Sequence, residues 1–210
     1  LTNNNIYAFE GTSQDSNVVY MPSAFCDWGG SKTNSSFAVQ NTSTTANASV
    51  TVNYSSGKSD GPFTILPGQK KSFPGCGVTA GVNAPGFIGS AVINSTGAKI
   101  VAMGKVFGGN ISTAFVGFAA GSPKVALPYV RWTEANWTNG THQRVNIAIQ
   151  NVGTTTLAAG TVKVTYFDNN GNPIGNVVTN SAPLGKDGFT PFIRESYCSL
   201  GNSLPACHGF

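Results

Sequence analysis

Four cysteines, two histidines and eight acidic residues are the side chains of this 210-residue chain that could do covalent, metal or acid–base chemistry. Cys26, Cys76, Cys198 and Cys207 are even in number, which points to disulfides in an oxidising compartment. Zinc is not expected, because there is no C-x-x-C and His142 and His208 lie far apart. Asp168-Asn169-Asn170-Gly171-Asn172 superficially evokes a calcium loop, but its twelfth position is Thr179 where a bidentate Glu would close the site. Asn-Gly between two strands reads instead as a hairpin turn. The acids Glu10, Asp15, Asp27, Asp60, Glu134, Asp168, Asp187 and Glu195 are scattered singly. No Gly-x-Ser-x-Gly elbow and no phosphate-binding glycine loop is present. A non-enzymatic chain without metal or cofactor is expected.

Two other chemistries concern sugars. Eight Asn-x-Ser/Thr sequons begin at Asn34, Asn41, Asn47, Asn53, Asn94, Asn110, Asn136 and Asn139, and each is a candidate glycan acceptor. Random occurrence accounts for several of them in a chain so rich in Asn, Ser and Thr. Trp28, Trp132 and Trp137 fall in loop-like segments, where an exposed indole can stack on a sugar face. Trp28 and Trp137 recur at matching places in the repeat set out below, so a structural role is expected for both. Trp132 remains the candidate for glycan stacking.

Composition narrows the classes further. Charged residues make up 10% of the chain against the roughly 25% usual for soluble domains, and Asn, Thr, Ser and Gly supply the polarity. These residues suit turns and exposed strand faces and are poor helix formers. A net charge of +4 without any basic tract argues against nucleic-acid partners. No segment is apolar enough to read as a membrane span. Sparse charge weakens mutual repulsion and favours self-association. With the cysteines and sequons it points to export, and the start at Leu1 without Met or signal pattern reads as a processed or excised chain.

The elements that position these residues are strands. Phe37–Gln40, Ala48–Tyr54 and Thr161–Phe167 alternate apolar with polar residues, and Phe87–Asn94 and Lys99–Phe107 read the same way. Pro, Gly and Asn clusters separate them at sandwich-like spacing. No amphipathic helix is evident. A repeat is also visible. Val19-Tyr20-Met21-Pro22 resembles Val125-Ala126-Leu127-Pro128, Gln40-Asn41 resembles Gln150-Asn151, and the strand ending at Tyr54 resembles the one ending at Tyr166. Leu66-Pro67-Gly68 and Gly86-Phe87 find looser echoes in Pro183-Leu184-Gly185 and Gly209-Phe210. A period near 110 residues predicts two tandem immunoglobulin-like β-sandwiches, 17–121 and 122–210, with a linker near Gly121-Ser122-Pro123-Lys124. Four cysteines allow three pairings, and pairing within each copy, Cys26–Cys76 and Cys198–Cys207, is preferred.

The second copy reads as incomplete. Three strands follow Phe87 in the first copy, and none of them has a counterpart in the second. Residues 1–16 carry Asn5-Ile6-Tyr7-Ala8-Phe9-Glu10-Gly11, which resembles Ala114–Ala119, the last strand of a repeat. Three explanations stand: an excised part of a longer tandem protein, a smaller second module, or a strand such as Asn5–Gly11 donated by a neighbouring chain.

Tyr20-Met21-Pro22, Trp28, Val39-Gln40-Asn41, Val50–Tyr54, Pro67-Gly68-Gln69 and Phe87–Ala91 together resemble an uncharacterised tandem β-sandwich repeat of bacterial extracellular proteins. The second copy carries Gln150-Asn151, Val164–Tyr166 and Gly171-Asn172 but departs at its Pro-Gly turn. The resemblance implies an extracellular all-β protein and brings no catalytic role. The expected function is that of a structural subunit of a cell-surface filament or layer, associating with copies of itself. A carbohydrate-binding or adhesive module that contacts surface glycans is the alternative.

Overall fold

The computed structural model describes residues 11–108, 111–128, 130 and 146–193. These residues form an all-β protein. The strands are β1 (Val18–Cys26), β2 (Asn34–Asn41), β3 (Ala48–Tyr54), β4 (Ser59–Ile65), β5 (Lys70–Pro74), β6 (Phe87–Thr96), β7 (Ile100–Gly108) and β8 (Ile111–Val116), followed by β9 (Asn146–Gln150), β10 (Lys163–Phe167), β11 (Pro173–Thr179) and β12 (Phe189–Ile193). The chain divides after Gly121 into two compact units, apart from the short stretch 187–189.

In the first unit two four-stranded antiparallel sheets, β1-β6-β3-β4 and β5-β2-β7-β8, share one core, as in a β-sandwich. The period-two pattern decides which side chains enter it. Along β3, Ala48, Val50, Val52 and Tyr54 point inward while Ser49, Thr51 and Asn53 are half-buried on the outer face. Phe37 and Val39 of β2, Phe73 of β5, and Ile100 and Ala102 of β7 meet them from the opposite sheet. Burial of each large side chain contributes about 1.5–3 kcal/mol. Phe63 and Phe73 pack edge to face at 5.7 Å, and Tyr54 meets Phe87 the same way at 6.0 Å.

β6 is the pivot of its sheet, paired on one side with β1 (Met21 opposite Ala91) and on the other with β3 (Val52 opposite Ile93). β7 plays the same part opposite, between β2 and β8. Gly104 of β7 faces Phe115 of β8, whose ring fills the space that a side chain at 104 would need. Beyond β8, Phe118 exchanges two backbone hydrogen bonds with Tyr20, at 2.8 and 3.0 Å, joining the two sheets along that side. β4 is an edge strand and holds Gly61-Pro62, tolerated there because proline has no N–H to give a further neighbour.

Constant-type immunoglobulin domains place their first two strands side by side in one sheet. Here β1 and β2 lie in different sheets. The two-sheet architecture is therefore present with a different strand order.

The second unit holds two two-stranded sheets, β10-β11 and β12-β9, plus an isolated bridge between Leu157 and Leu184. Its pairings repeat part of the first: β9 with β12 as β2 with β5, and β10 with β11 as β3 with β4. The buried apolar side chains among its described residues are Ile147, Tyr166 and Leu184, with Val130, Ile149, Val162, Val164 and Val178 packed partly around the first two.

Candidate functional site

The densest polar cluster lies at one end of the first unit. β1 ends at Cys26 and β5 at Pro74, so the Cys26–Cys76 disulfide ties together strand ends from opposing sheets, with the two Cα atoms 4.7 Å apart. The loop after it is fixed by Asn83, which is buried. Asn83 Nδ2 donates to the Gly75 carbonyl at 2.8 Å, its Oδ1 accepts from Ser56 Oγ at 2.6 Å, and its N–H donates to the Cys76 carbonyl. Asp60 is 1% exposed, and its carboxylate accepts the N–H groups of Val78 and Thr79, the latter at 3.1 Å. Hydrogen bonds of this kind are what allow a buried acid to persist.

Tyr54 completes the cluster, donating its hydroxyl to the Pro74 carbonyl at 2.9 Å. Burial, reinforced by the nearby Asp60 charge, raises its phenol well above the ordinary tyrosine value. The raised value means that stability from this group is complete below about pH 10, the unfolded value, and is lost as pH climbs further. Tyr54→Phe is expected to cost about 1 kcal/mol at neutral pH through the lost hydrogen bond. In urea titrations repeated between pH 7 and 11.5, the wild-type and variant curves should converge above about pH 10. Curves that stay parallel would remove this account.

All of this chemistry fastens backbone. The acid is committed to amides, the Asn83 side chain to the Gly75 carbonyl and the Ser56 hydroxyl, and the cysteines to each other. Asp15, another acid with several partners, has an exposed side chain. A hydrogen bond from Lys99, at 3.2 Å, and one from Thr42 hold its carboxyl below the usual range. Asp168 caps the β10–β11 turn, its Oδ1 accepting the N–H groups of Asn170 and Asn172 at 2.9 and 2.8 Å, and its carboxyl is lowered first by the Asn172 N–H. That segment is therefore a hairpin turn, with Gly171 at φ +82°. Among the described residues no group of three His, Cys, Asp or Glu side chains converges.

A second constellation occurs twice. Asn41, at the end of β2, is wholly buried. Its Nδ2 donates to the carbonyls of Ala46 and Ile65 at 2.8 and 3.0 Å, and its Oδ1 accepts the Ser43 N–H at 2.9 Å. Asn151, just past β9, donates to the carbonyls of Thr155 and Leu184 at the same two distances and to Gly185 at 3.2 Å, and accepts the Gly153 N–H at 3.0 Å. In each unit one amide thus locks the turn leaving a strand to a later segment of the chain. Gln-Asn was one of the repeat's landmarks, and the signal was present without its meaning.

This placement bears on the sequons. The Asn41 amide is inaccessible and fully engaged, so in the folded chain it is a packing residue and no glycan acceptor. Asn34 is committed to Asp27 and to the Lys32 carbonyl. Asn53 accepts from Ser59 Oγ, Asn94 is half-buried and Asn47 is exposed. Trp28 is 36% exposed and leans on Phe25 at 5.7 Å while its backbone bridges Thr33. Gly11 and Thr12 border a shallow groove with Ala38, Val101, Met103 and Val116. Asn5 to Glu10, Asn110, Trp132, Asn136, Trp137, Asn139, Cys198 and Cys207 lie outside the described residues.

Sequence reasoning missed Asp60 and Asn83, because a lone Asp in a Ser-Asp-Gly context looks like a turn residue. It also gave no hint that Val125 and Leu127 would be exposed, at 69% and 51%. No protein-family model, curated protein or solved structure matches this chain.

Proposed function

We propose that the chain is a non-enzymatic, exported structural protein built from two tandem β-sandwich modules, working as a spacer in a cell-surface filament or layer. The observation that carries this reading is the asparagine lock found in both units, at Asn41 and Asn151, with part of the same strand pairing around it. Duplicated rigid modules suit a load-carrying spacer better than a catalyst. The Cys26–Cys76 bond fits an oxidising compartment, and the low charge favours contact between copies. Contacts between sandwich modules of neighbouring copies are the means of assembly.

The test is assembly of the purified oxidised chain across a concentration series, followed by sedimentation velocity and negative-stain electron microscopy. Ordered, concentration-dependent polymers are expected. A strict monomer that binds a glycan panel saturably would replace this reading with that of an adhesive module.

A further inference from the structure

We propose that Asn170-Gly171, at the tip of the β10–β11 hairpin, is a site of spontaneous rearrangement to isoaspartate, a chemical clock that loosens this hairpin as the protein ages. The inference is independent of the structural role above. The β3–β4 and β10–β11 hairpins turn in the same way. Tyr54 donates its N–H to the Lys58 carbonyl at 2.8 Å, and its own carbonyl accepts the Gly57 N–H at 2.9 Å. Asp168 makes the same two bonds with Asn172 and Gly171, at 2.9 and 3.1 Å. The glycines match as well, at φ +79° and +82°. What differs is the residue before the glycine, Ser56 in the first turn and Asn170 in the second. A serine there is inert. An asparagine carries an electrophilic carbonyl carbon that the next backbone nitrogen can reach.

Placement singles out Asn170 among its neighbours. Asn169 precedes a residue with a side chain, and Asn172 precedes Pro173, whose nitrogen has no proton to lose. Only Asn170 precedes a glycine, which leaves the nitrogen unhindered and the backbone free to adopt the reacting conformation. Asn170 and Gly171 are both exposed, nothing lies within 4 Å of where a Gly171 side chain would start, and the Asn170 side chain has no hydrogen-bond partner among the described residues. The buried asparagines are the opposite case. Asn41, Asn83, Asn151 and Asn180 each have their amide tied to at least two partners and cannot swing onto the backbone.

The chemistry needs only water and hydroxide. The Gly171 nitrogen gives up its proton to hydroxide and attacks Asn170 Cγ, a new C–N bond closes a cyclic imide, and the side-chain nitrogen leaves as ammonia. Water then opens the imide, and cleavage on the main-chain carbonyl side leaves the chain running through Cγ. The backbone is one methylene longer at that point and carries a new carboxylate. Asp168 stands beside it, its Oδ1 accepting the N–H groups of Asn170 and Asn172 at 2.9 and 2.8 Å. The added length breaks this cap and the added charge repels it. The pairs behind the turn, Phe167 with Pro173 and Tyr166 with Ile174, lose their anchor. Tyr166 belongs to the second unit's small core, so the loosening reaches its packing.

The test stores the full oxidised chain in mildly alkaline buffer at body temperature and follows each asparagine by peptide mapping with isoaspartate detection, beside a synthetic peptide of residues 166–175. Mapping reads Asn170 separately from the chain's other Asn-Gly pair, Asn139-Gly140. Asn170 is expected to convert ahead of Asn169 and Asn172, mainly to isoaspartate, and within about tenfold of the peptide's rate, since opening one exposed turn hydrogen bond is the main added cost. Conversion more than about tenfold slower than the peptide's would mean that the turn shields the site, and overturns the proposal. In the converted protein, hydrogen exchange should quicken at the Asp168 amide and along β10 and β11 while the Tyr54 amide of the first turn is unchanged. Unchanged exchange after conversion overturns the clock. Asn170→Ser, which copies the first turn, should keep its hairpin protection through the same storage. If that variant loosens at the wild-type rate, the cause is not Asn170 and the proposal falls.

Discussion

Replacing Cys26 and Cys76 together by serine is expected to lower the stability of the first unit by about 4 kcal/mol. The two residues are 50 positions apart, and closing a loop of that size removes much of the unfolded chain's freedom. The bond also holds the ends of β1 and β5 together where Asp60, Asn83 and Tyr54 fasten the following loop. Its loss should therefore loosen that loop first. Urea titration of the oxidised protein, the dithiothreitol-treated protein and the double serine variant provides the measurement. The last two should unfold together, at clearly lower denaturant than the first. A reduced protein as stable as the oxidised one would show that the folded network suffices without the cross-link.

Asn41→Ala is expected to be nearly as damaging, at about 3 kcal/mol. It strands one buried and two partly buried backbone groups, each of which costs about 1–3 kcal/mol when left unpaired in a dry site, with water and relaxation offsetting part of the sum. The Ala46 and Ile65 carbonyls and the Ser43 N–H are the groups concerned. Asn41→Asp should be worse still: the carboxylate keeps the bond to Ser43 but turns an acceptor toward two carbonyls and buries a charge. Asn151→Ala makes a useful partner experiment. Its surroundings in the second unit are less covered, so water can replace part of what is lost and the penalty should be smaller. Equal penalties at the two positions would argue that the second core is as dry as the first.

The alternation of apolar and polar residues located β2, β3, β7 and β10 closely, because one face of those strands is more buried than the other, whereas β6, which Phe87–Asn94 also marks, is buried on both faces over residues 89–93. β4 escaped notice since Gly61-Pro62 looks like a turn, and an edge strand tolerates such residues where an interior strand would not. Strand order was illegible for a different reason. Periodicity reports that a residue faces a core, and says nothing about which strand lies beside it. The Val18–Cys26 segment could be matched to residue 125 onward by type, yet only the partner strand decides whether those valines are dry. The same holds for Asn41: as Asn-Thr-Ser it reads as a glycan acceptor, and only the carbonyls of Ala46 and Ile65 make it a lock. The disulfide pairing was preferred on repeat logic, and the proximity of Cys26 to Cys76 follows from β1 and β5 ending at the same end of the fold.

A cross-link between residues 26 and 76 changes how the chain transmits pulling force. Tension entering at one end and leaving at the other passes through the sulfur bridge, and the 50 residue steps between the cysteines carry none of it. Fully extended, those steps would add roughly 170 Å of contour at about 3.3–3.6 Å each. That slack is withheld while the bridge is intact and released when it is reduced, so a stretched molecule would lengthen in steps of different size in the two redox states.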